Sequence, residues 1–131
     1  MKKLVLLTAW LVLLGSPNAL IAAGVDQAQQ LVEQYHLALQ SGNTKKILAL
    51  LGPEEAKHNE HLKEPRYQGI LASEFQGSTL EVLHKDKTGI FYVVDYVIHL
   101  SPVGTVSERV LVKDMAQIGE PQLKIFKKSP L

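Results

Sequence analysis

The spacing of the apolar residues changes half-way along the chain, and this change limits the possible folds most strongly. From Val25 to Leu39 the apolar residues recur every three or four positions, as on one face of an amphipathic helix. From Thr79 to Lys128 they gather in short segments rich in Val, Ile, Leu, Tyr and Phe, which are typical of strands. The sequence therefore predicts an α+β fold in which helices precede a sheet.

Three helical segments are predicted before the sheet. The first ends at Gly42, and the second covers Lys45–Leu51. The third begins at Pro53, because proline and the two glutamates after it suit a first helical turn, and it ends at Pro65. Segment 66–77 fits either a helical turn or a short strand, and the pattern leaves both open.

Four strands are predicted to form a curved antiparallel sheet that packs on the helices. They cover Thr79–Lys85, Ile90–Leu100, Thr105–Lys113 and Gln122–Lys128. The turn sequences Asp86–Gly89 and Ser101–Gly104 separate the first three strands, and each ends in a glycine suited to a left-handed conformation. These turns predict that Asp86 pairs with Ile90 and that Ser101 pairs with Thr105, which fixes the side chains on each face of the sheet.

Five polar side chains form a candidate ligand pocket on the face of the sheet toward the helices. The predicted register places Tyr96 diagonal to Glu108 and Tyr92 opposite His84, and Tyr35 joins them from the first helix. A carboxylate in apolar surroundings can act as a general acid or base, or anchor a ligand. The alternative is that Glu108 and His84 lie near strand ends, reach solvent and form ordinary polar pairs.

Large apolar residues also fall on the opposite face of the predicted sheet. They include Phe91, Val93, Val97 and Leu111. This content is high for a face in contact with water, and it predicts a surface for a second copy or another protein partner. Scattered surface apolar residues are the alternative, because such residues are common on soluble proteins.

A weak metal-site candidate lies in the third helical segment. Glu54, His58 and His61 occupy positions i, i+4 and i+7, which share one face of a continuous helix and could bind zinc or copper. No fourth ligand is evident, and a solvated charged helix face is the alternative. We therefore predict no metal and no other cofactor.

Residues 1–23 have the pattern of a secretory signal peptide. Two lysines precede the uncharged segment Leu4–Leu14, and small residues end at the candidate cleavage positions Ala22 and Ala23. A transmembrane anchor is the alternative, but spanning a bilayer takes about 20 apolar residues, and a Gly-Ser-Pro sequence interrupts this segment earlier. The prediction is a bacterial protein of one domain, residues 24–131, that is periplasmic or secreted and has no stable membrane anchor after cleavage.

Composition excludes several functional classes. The chain of 131 residues has no cysteine, which excludes disulfide bonds, a cysteine nucleophile and a cysteine-bound zinc. It has 14 Lys and Arg against 13 Asp and Glu, a balance that gives no electrostatic basis for nucleic-acid binding. Phosphate-binding loops, dinucleotide fingerprints and the serine-nucleophile elbow are also missing from the sequence.

The segment LALQSGNTKKILALLGPE, with Ser41-Gly42-Asn43 at the end of a long helix, resembles the nuclear transport factor two-like superfamily. The resemblance extends from Val25 to Lys128 and is to small secreted bacterial members of unknown function. It implies a cone-shaped sheet around the long helix, often with a pocket at the open end and often a dimer. Members include isomerases, dehydratases, ligand carriers and interaction domains of secretion machines, so it implies no single chemistry. A cystatin-like helix on a sheet is the alternative fold.

These observations predict an exported binding protein for a protein partner or a small apolar ligand. One alternative is a pocket enzyme of the isomerase or dehydratase kind that uses Glu108 with Tyr96. Another is an accessory or inhibitor domain of a secretion or envelope system. Burial separates the first two, because an enzyme needs Glu108 at the bottom of an open pocket, whereas a binding protein can fill that space with core side chains.

Overall fold

The computed structural model describes residues 17–116 and 118–131, with side chains from Gly24 onward. The helices are α1 (Pro17–Ser41), α2 (Thr44–Leu50), α3 (Pro53–His58), a 3₁₀ turn (Glu60–Lys63) and α4 (Arg66–Phe75). The strands are β1 (Thr79–Thr88), β2 (Phe91–His99), β3 (Thr105–Asp114) and β4 (Leu123–Pro130). They form one antiparallel sheet in the order β1-β2-β3-β4, which confirms the predicted α+β class of helices packed on a four-stranded antiparallel sheet.

Helix α1 buries the face that the apolar spacing predicts. Its buried apolar residues are Val25, Ala28, Leu31, Val32, Tyr35, Ala38 and Leu39. Gly42 ends the helix with a positive φ of 65°, which glycine adopts without steric cost. The Asn43 side chain then accepts a hydrogen bond of 3.1 Å from the backbone N–H of Lys46 and caps α2.

Segment 66–77, which the sequence left open, is mainly the helix α4. This helix packs against α1, and Phe75 at its end is buried in the core. The junction with β1 is fixed by polar contacts: His36 Nε2 lies 2.9 Å from Ser78 Oγ, and the Gln40 side-chain amide donates to the Ser78 carbonyl at 2.8 Å. These bonds hold the start of the sheet against the long helix.

The predicted register of the first hairpin is wrong. Thr88 pairs with Phe91 across a two-residue turn at Gly89–Ile90, so β1 continues through the segment predicted as the turn. A bulge between Val82 and His84 then changes the alternation, because an extra residue in one strand inverts the faces beyond it. Residues up to Val82 keep their predicted face, and those after the bulge are on the other one.

The second hairpin is offset by two residues from its predicted register. Tyr96 pairs directly with Glu108, and His99 pairs with Thr105. A shift by an even number of residues leaves every side chain on its predicted face. We call the side of the sheet toward the helices the inner face, and the other side the outer face.

The inner face supplies most of the sheet's part of the core. Its fully buried members are Val94, Tyr96, Ile98, Val110, Val112 and Ile125, each with 0% exposure. They pack with the buried face of α1 and with Ile47 and Leu50 of α2 in one cluster. The space between helices and sheet is therefore filled by side chains around Tyr96.

The free edge of β4 is partly occupied by the segment between α2 and α3. The backbone N–H of Gly52 donates to the Ile125 carbonyl at 2.8 Å, and Leu51 forms a parallel bridge with Ile125. The Lys124 ammonium also donates to the Ala49 carbonyl at 2.5 Å. The start of α3 is thereby held beside β4.

The predicted signal peptide lies largely outside the described residues, because the description begins at Pro17. Helix α1 runs through the candidate cleavage positions Ala22 and Ala23. Within residues 17–116 and 118–131, no helix combines the length and apolar character needed to cross a bilayer.

Candidate functional site

Tyr96 and Glu108 form a hydrogen-bonded pair on the inner face. They stand opposite each other on β2 and β3, where the sequence predicted a diagonal relation, and the Tyr96 hydroxyl donates to Glu108 Oε1 at 2.8 Å. Tyr96 has 0% exposure, whereas Glu108 is half-buried. The carboxylate thus satisfies the buried phenol, which would otherwise lose its hydrogen bond with water.

Tyr96 stays protonated over the ordinary pH range. Burial raises its pKa first, and the charge of Glu108, the proximity of Tyr35 and the hydrogen bond to Glu108 raise it further. In this arrangement the phenol is a hydrogen-bond donor, and it is enclosed by the core. A substrate could contact it only if core side chains moved.

A second polar pair lies beside the first and joins helix α1 to β4. The Lys128 ammonium donates to the Tyr35 hydroxyl at 2.6 Å and lies 4.8 Å from the centroid of the Tyr35 ring. Burial raises the pKa of Tyr35. Burial lowers the pKa of Lys128, but Tyr35, Glu108 and Glu55 outweigh it and raise the pKa above its ordinary value. Lys128 therefore keeps its positive charge in a half-buried position.

Sequence reasoning gave Lys128 only as the end of the fourth predicted strand and missed its inward position. Lys128 pairs with Val110 on the inner face, although Ile125 of the same strand is also inward. The register shift around Phe126 makes this possible, because Val112 pairs with Ile125 and Leu111 pairs with Lys127. Strict alternation would place Ile125 and Lys128 on opposite faces.

Two of the five predicted pocket residues lie elsewhere. His84 was predicted to face Tyr92 on the inner face, but it pairs with Asp95 on the outer face because of the β1 bulge. Tyr92 is on the inner face opposite Lys87, and an added Cβ at Gly24 of α1 would meet its ring. Four residues of strand separate Tyr92 from Tyr96, about 13 Å. The structure brings together Tyr35, Tyr96 and Glu108, with Lys128 as the added member.

The three residues of the metal candidate do not come together. Helix α3 ends at His58, and His61 belongs to the separate 3₁₀ turn, where its ring stacks edge-on against Tyr67 with centroids 5.0 Å apart. The predicted continuous helix face from Glu54 to His61 is therefore wrong. Among the described residues no group of three His, Cys, Asp or Glu side chains is placed to hold a metal ion.

A groove of about 540 Å³ lies between α3 and β4, near the Lys128–Tyr35 pair. Its lining residues are Glu54, Glu55, His58, Phe126, Lys127 and Lys128. A smaller cavity of about 240 Å³ shares Glu54 and Phe126 with it and is completed by Gly52, Pro53 and Met115. The two acidic residues come from the α3 side and the two lysines from the β4 side.

The outer face combines an ion pair with an apolar groove. Arg109 donates to both carboxylate oxygens of Asp95, at 2.7 and 2.9 Å, and these bonds lower the pKa of Asp95. Beside this pair is a groove of about 360 Å³ with Phe91, Val93 and Leu111 among its lining residues. All three are half-buried, so they keep accessible apolar surface.

The fourth predicted interface residue contributes little to this surface. Val97 is on the outer face but has 8% exposure, between Glu81 on β1 and Ser107 on β3. Phe126 of β4 instead extends the apolar strip, because its ring stacks edge-on against Phe91 with centroids 5.3 Å apart. Sequence reasoning did not place Phe126 there, since the irregularity of β4 has no visible turn or glycine signal.

Comparison with solved structures found similar chains, among them the crystal structure of an NTF2-like protein of unknown function from Cytophaga hutchinsonii. That protein is 16% identical to this chain, the match covers 75% of this chain and 87% of the other, and the TM-score is 0.37.

Comparison with protein-family models found no match, and comparison with curated protein sequences found none. The function of the similar solved protein is unknown, so the similarity brings no activity or site residue to this chain.

Proposed function

We propose that this chain is a non-catalytic exported binding protein, and that the outer face of its sheet binds protein. The observation that carries the proposal is the accessible apolar groove formed by Phe91, Val93 and Leu111. Apolar side chains that converge on one groove are typical of protein contact surfaces, because a partner removes them from water. The occupant that fits the charges of this face is a second copy of the chain.

The charge pattern supporting a second copy lies in one row across the sheet. Asp86 on β1 pairs with Val93, and Leu111 pairs with Val93 on one side and with Lys127 on the other. The row thus runs from an exposed acid through two apolar residues to an exposed base. A two-fold axis parallel to the strands, through the middle of the row, brings Asp86 of each copy over Lys127 of the other.

The filled inner face supports binding in preference to catalysis. Tyr96 has no exposed surface, and Val94, Ile98 and Val110 around it are also fully buried. The Tyr96 hydroxyl is therefore enclosed by described core side chains and does not lie at the bottom of an open pocket, which the pocket-enzyme alternative requires. The hydrogen bond of the Tyr96–Glu108 pair satisfies this buried hydroxyl and so accounts for the pair as part of the core.

Charge reversal at the two ends of the row tests the proposal. Asp86→Lys alone and Lys127→Glu alone place like charges against each other in the proposed dimer, so each variant should be monomeric at concentrations where the wild type is dimeric. An equimolar mixture of the two variants should dimerise again, because both contacts between the unlike chains regain opposite charges. Light scattering after size-exclusion chromatography measures the mass of each species.

The matched control is Glu120→Lys, which reverses an exposed charge in the connection between β3 and β4. It should dimerise like the wild type. Leu111→Glu should be monomeric, because it places a carboxylate in the apolar middle of the row. A wild type that stays monomeric at every concentration, or reversal variants that dimerise normally, would exclude a second copy as the occupant.

Export is the other part of the proposal, and it is supported by the sequence of residues 1–23. Basic residues, an uncharged apolar segment and small residues follow in the order that a secretory signal peptide needs. A protein without cysteine can function in an oxidising compartment without forming wrong disulfide bonds. We infer a periplasmic or secreted location.

A further inference from the structure

The half-buried ammonium of Lys128 has unused hydrogen-bonding capacity at the groove between α3 and β4. An ammonium group has three N–H donors. Within residues 24–116 and 118–131, its hydrogen-bond acceptor is the Tyr35 hydroxyl, and no carboxylate lies within 4.0 Å of it. A charged donor in a partly desolvated position gains most from an anionic acceptor.

The opposite side of the groove carries the complementary charge. Glu54 and Glu55 lie in the first turn of α3, and both line the groove with Lys128. A ligand that carried only a negative charge would meet these two carboxylates as well as the lysine. A ligand with both a carboxylate and an ammonium group can satisfy both sides at once.

The adjoining cavity adds an apolar element. It is bounded by Pro53, Met115 and Phe126, and it shares Glu54 and Phe126 with the charged groove. Its volume of about 240 Å³ can accept an aliphatic side chain next to a charged head group. The ligand chemistry is thus an α-carboxylate, an α-ammonium and one apolar side chain.

We propose that the groove between α3 and β4 is a binding site for a free amino acid with an apolar side chain. Lys128 binds the carboxylate, Glu55 and Glu54 bind the ammonium group, and Phe126 with Met115 and Pro53 contacts the side chain. The groove shares Lys127 with the Asp86–Val93–Leu111–Lys127 row, but none of the groups assigned to the ligand belongs to that row, and the site does not depend on the proposed dimer.

Three small probes test each part of the ligand with the purified full chain. Leucine has both charged groups, leucinamide lacks the carboxylate, and N-acetylleucine lacks the ammonium. Isothermal titration calorimetry should detect leucine binding, and each of the other probes should bind about tenfold more weakly, because each loses a charge-assisted hydrogen bond. Equal binding of the three probes, or no binding of leucine at millimolar concentration, would overturn the proposal.

Variants identify the groups on the protein. Lys128→Met keeps a long apolar side chain without the charge, so it should weaken leucine binding about tenfold and leave leucinamide binding unchanged. Glu55→Gln should weaken the binding of leucine and leucinamide alike and should not weaken the binding of N-acetylleucine, which has no ammonium group for Glu55 to bind. Glu55 is at the surface of α3, so this second variant keeps the test valid if Lys128→Met does not fold.

Lys124→Met is the matched control, because Lys124 is on the same strand but its ammonium donates to the Ala49 carbonyl away from the groove lining. It should bind leucine like the wild type. If it weakened leucine binding as much as Lys128→Met, the effect would be one of net charge, and the assigned role of Lys128 would be wrong.

Discussion

His36 is a titratable side chain buried where α1 meets the start of the sheet. The Ser78 hydroxyl donates its single proton to the Phe75 carbonyl at 2.6 Å, so it must accept the proton on His36 Nε2. Burial lowers the pKa of His36 below its ordinary value of 6.5. Burial in the native protein therefore favours the neutral form of this imidazole, whereas in the unfolded chain the imidazole is exposed to water.

The lowered pKa of His36 predicts a loss of stability in mild acid. As the pH falls below 6.5, the unfolded chain binds a proton at His36 before the native protein does, so the free energy of unfolding decreases until the lowered native pKa is passed. His36→Gln, whose amide can still donate to Ser78, should remove this part of the pH dependence. Urea unfolding at a series of pH values from about 8 to about 5 measures it.

His58→Gln provides the comparison for that experiment, because His58 is an exposed residue at the end of α3. It should keep the wild-type decrease of stability with falling pH. If His36→Gln kept the decrease and His58→Gln removed it, the assignment to the buried imidazole would be wrong.

At the scale of elements, the corner between α1 and α2 depends on one residue without a side chain. Gly42 has a positive φ, and a Cβ there would collide with the Gln68 carbonyl oxygen of α4. Gly69, one residue further along in α4, has open space around an added Cβ. Replacing Gly42 therefore tests backbone strain and steric contact, whereas replacing Gly69 tests helix propensity alone.

Gly42→Ala should destabilise the protein by more than about 2 kcal/mol, because left-handed strain and the collision with α4 add together. Gly69→Ala should stabilise it by about 0.5–1 kcal/mol, since alanine reduces the flexibility of the unfolded chain in a helical position. Urea unfolding of both variants and the wild type measures whether each substitution raises or lowers the free energy of unfolding. A neutral Gly42→Ala would show that α1 and α4 can separate at this corner without cost.

The elements themselves were largely predictable, whereas their alignment was not. Apolar spacing predicts α1, α2 and the four strands, because burial of one face produces that spacing. The positions of His84 and Lys128 could not be predicted, because each follows a strand irregularity at Leu83 or Phe126 that reverses the alternation. A bulge forms where packing against other elements requires an extra residue in one strand. The sequence of that strand alone does not indicate it.

The candidate site shows the same division. The predicted register of β2 and β3 was wrong by two residues, and a shift by an even number keeps each side chain on its face of the sheet. The prediction therefore still placed Tyr96 and Glu108 near each other. Lys128 comes from the last strand, far along the chain from Tyr35, and only the three-dimensional fold brings the two together. Long-range pairs of this kind leave no signal in the spacing of either segment.

At the scale of the whole molecule, the predicted domain start at residue 24 is followed directly by residues of α1 that contact the sheet. Val25 and Ala28 are buried, and Asp26 accepts a hydrogen bond of 3.0 Å from the Lys85 ammonium. Gly24 packs closely on the Tyr92 ring. Gly24, Val25 and Asp26 lie directly after the candidate cleavage positions, so a chain that starts at residue 23 or 24 retains these contacts.

Protein recovered from the exported fraction should have the mass of a chain without residues 1–22 or 1–23. A chain engineered to start at Gln29 should be less stable to urea than one that starts at Gly24, by about 2 kcal/mol or more, because it lacks the buried Val25 and Ala28 side chains. An intact mass in the exported fraction would contradict cleavage, and equal stability of the two chains would contradict the assigned boundary.

The hydrogen bond between Gly52 and Ile125 also affects the tendency of the protein to aggregate at high concentration. An open sheet edge can recruit strands from other molecules and start fibril growth. Leu51 and Gly52 occupy β4 at Ile125, and the other edge strand, β1, carries a bulge and the charged residues Lys85, Asp86 and Lys87. Each edge thus carries a feature that opposes the addition of foreign strands, which favours the proposed contact across the outer face over growth along the edges.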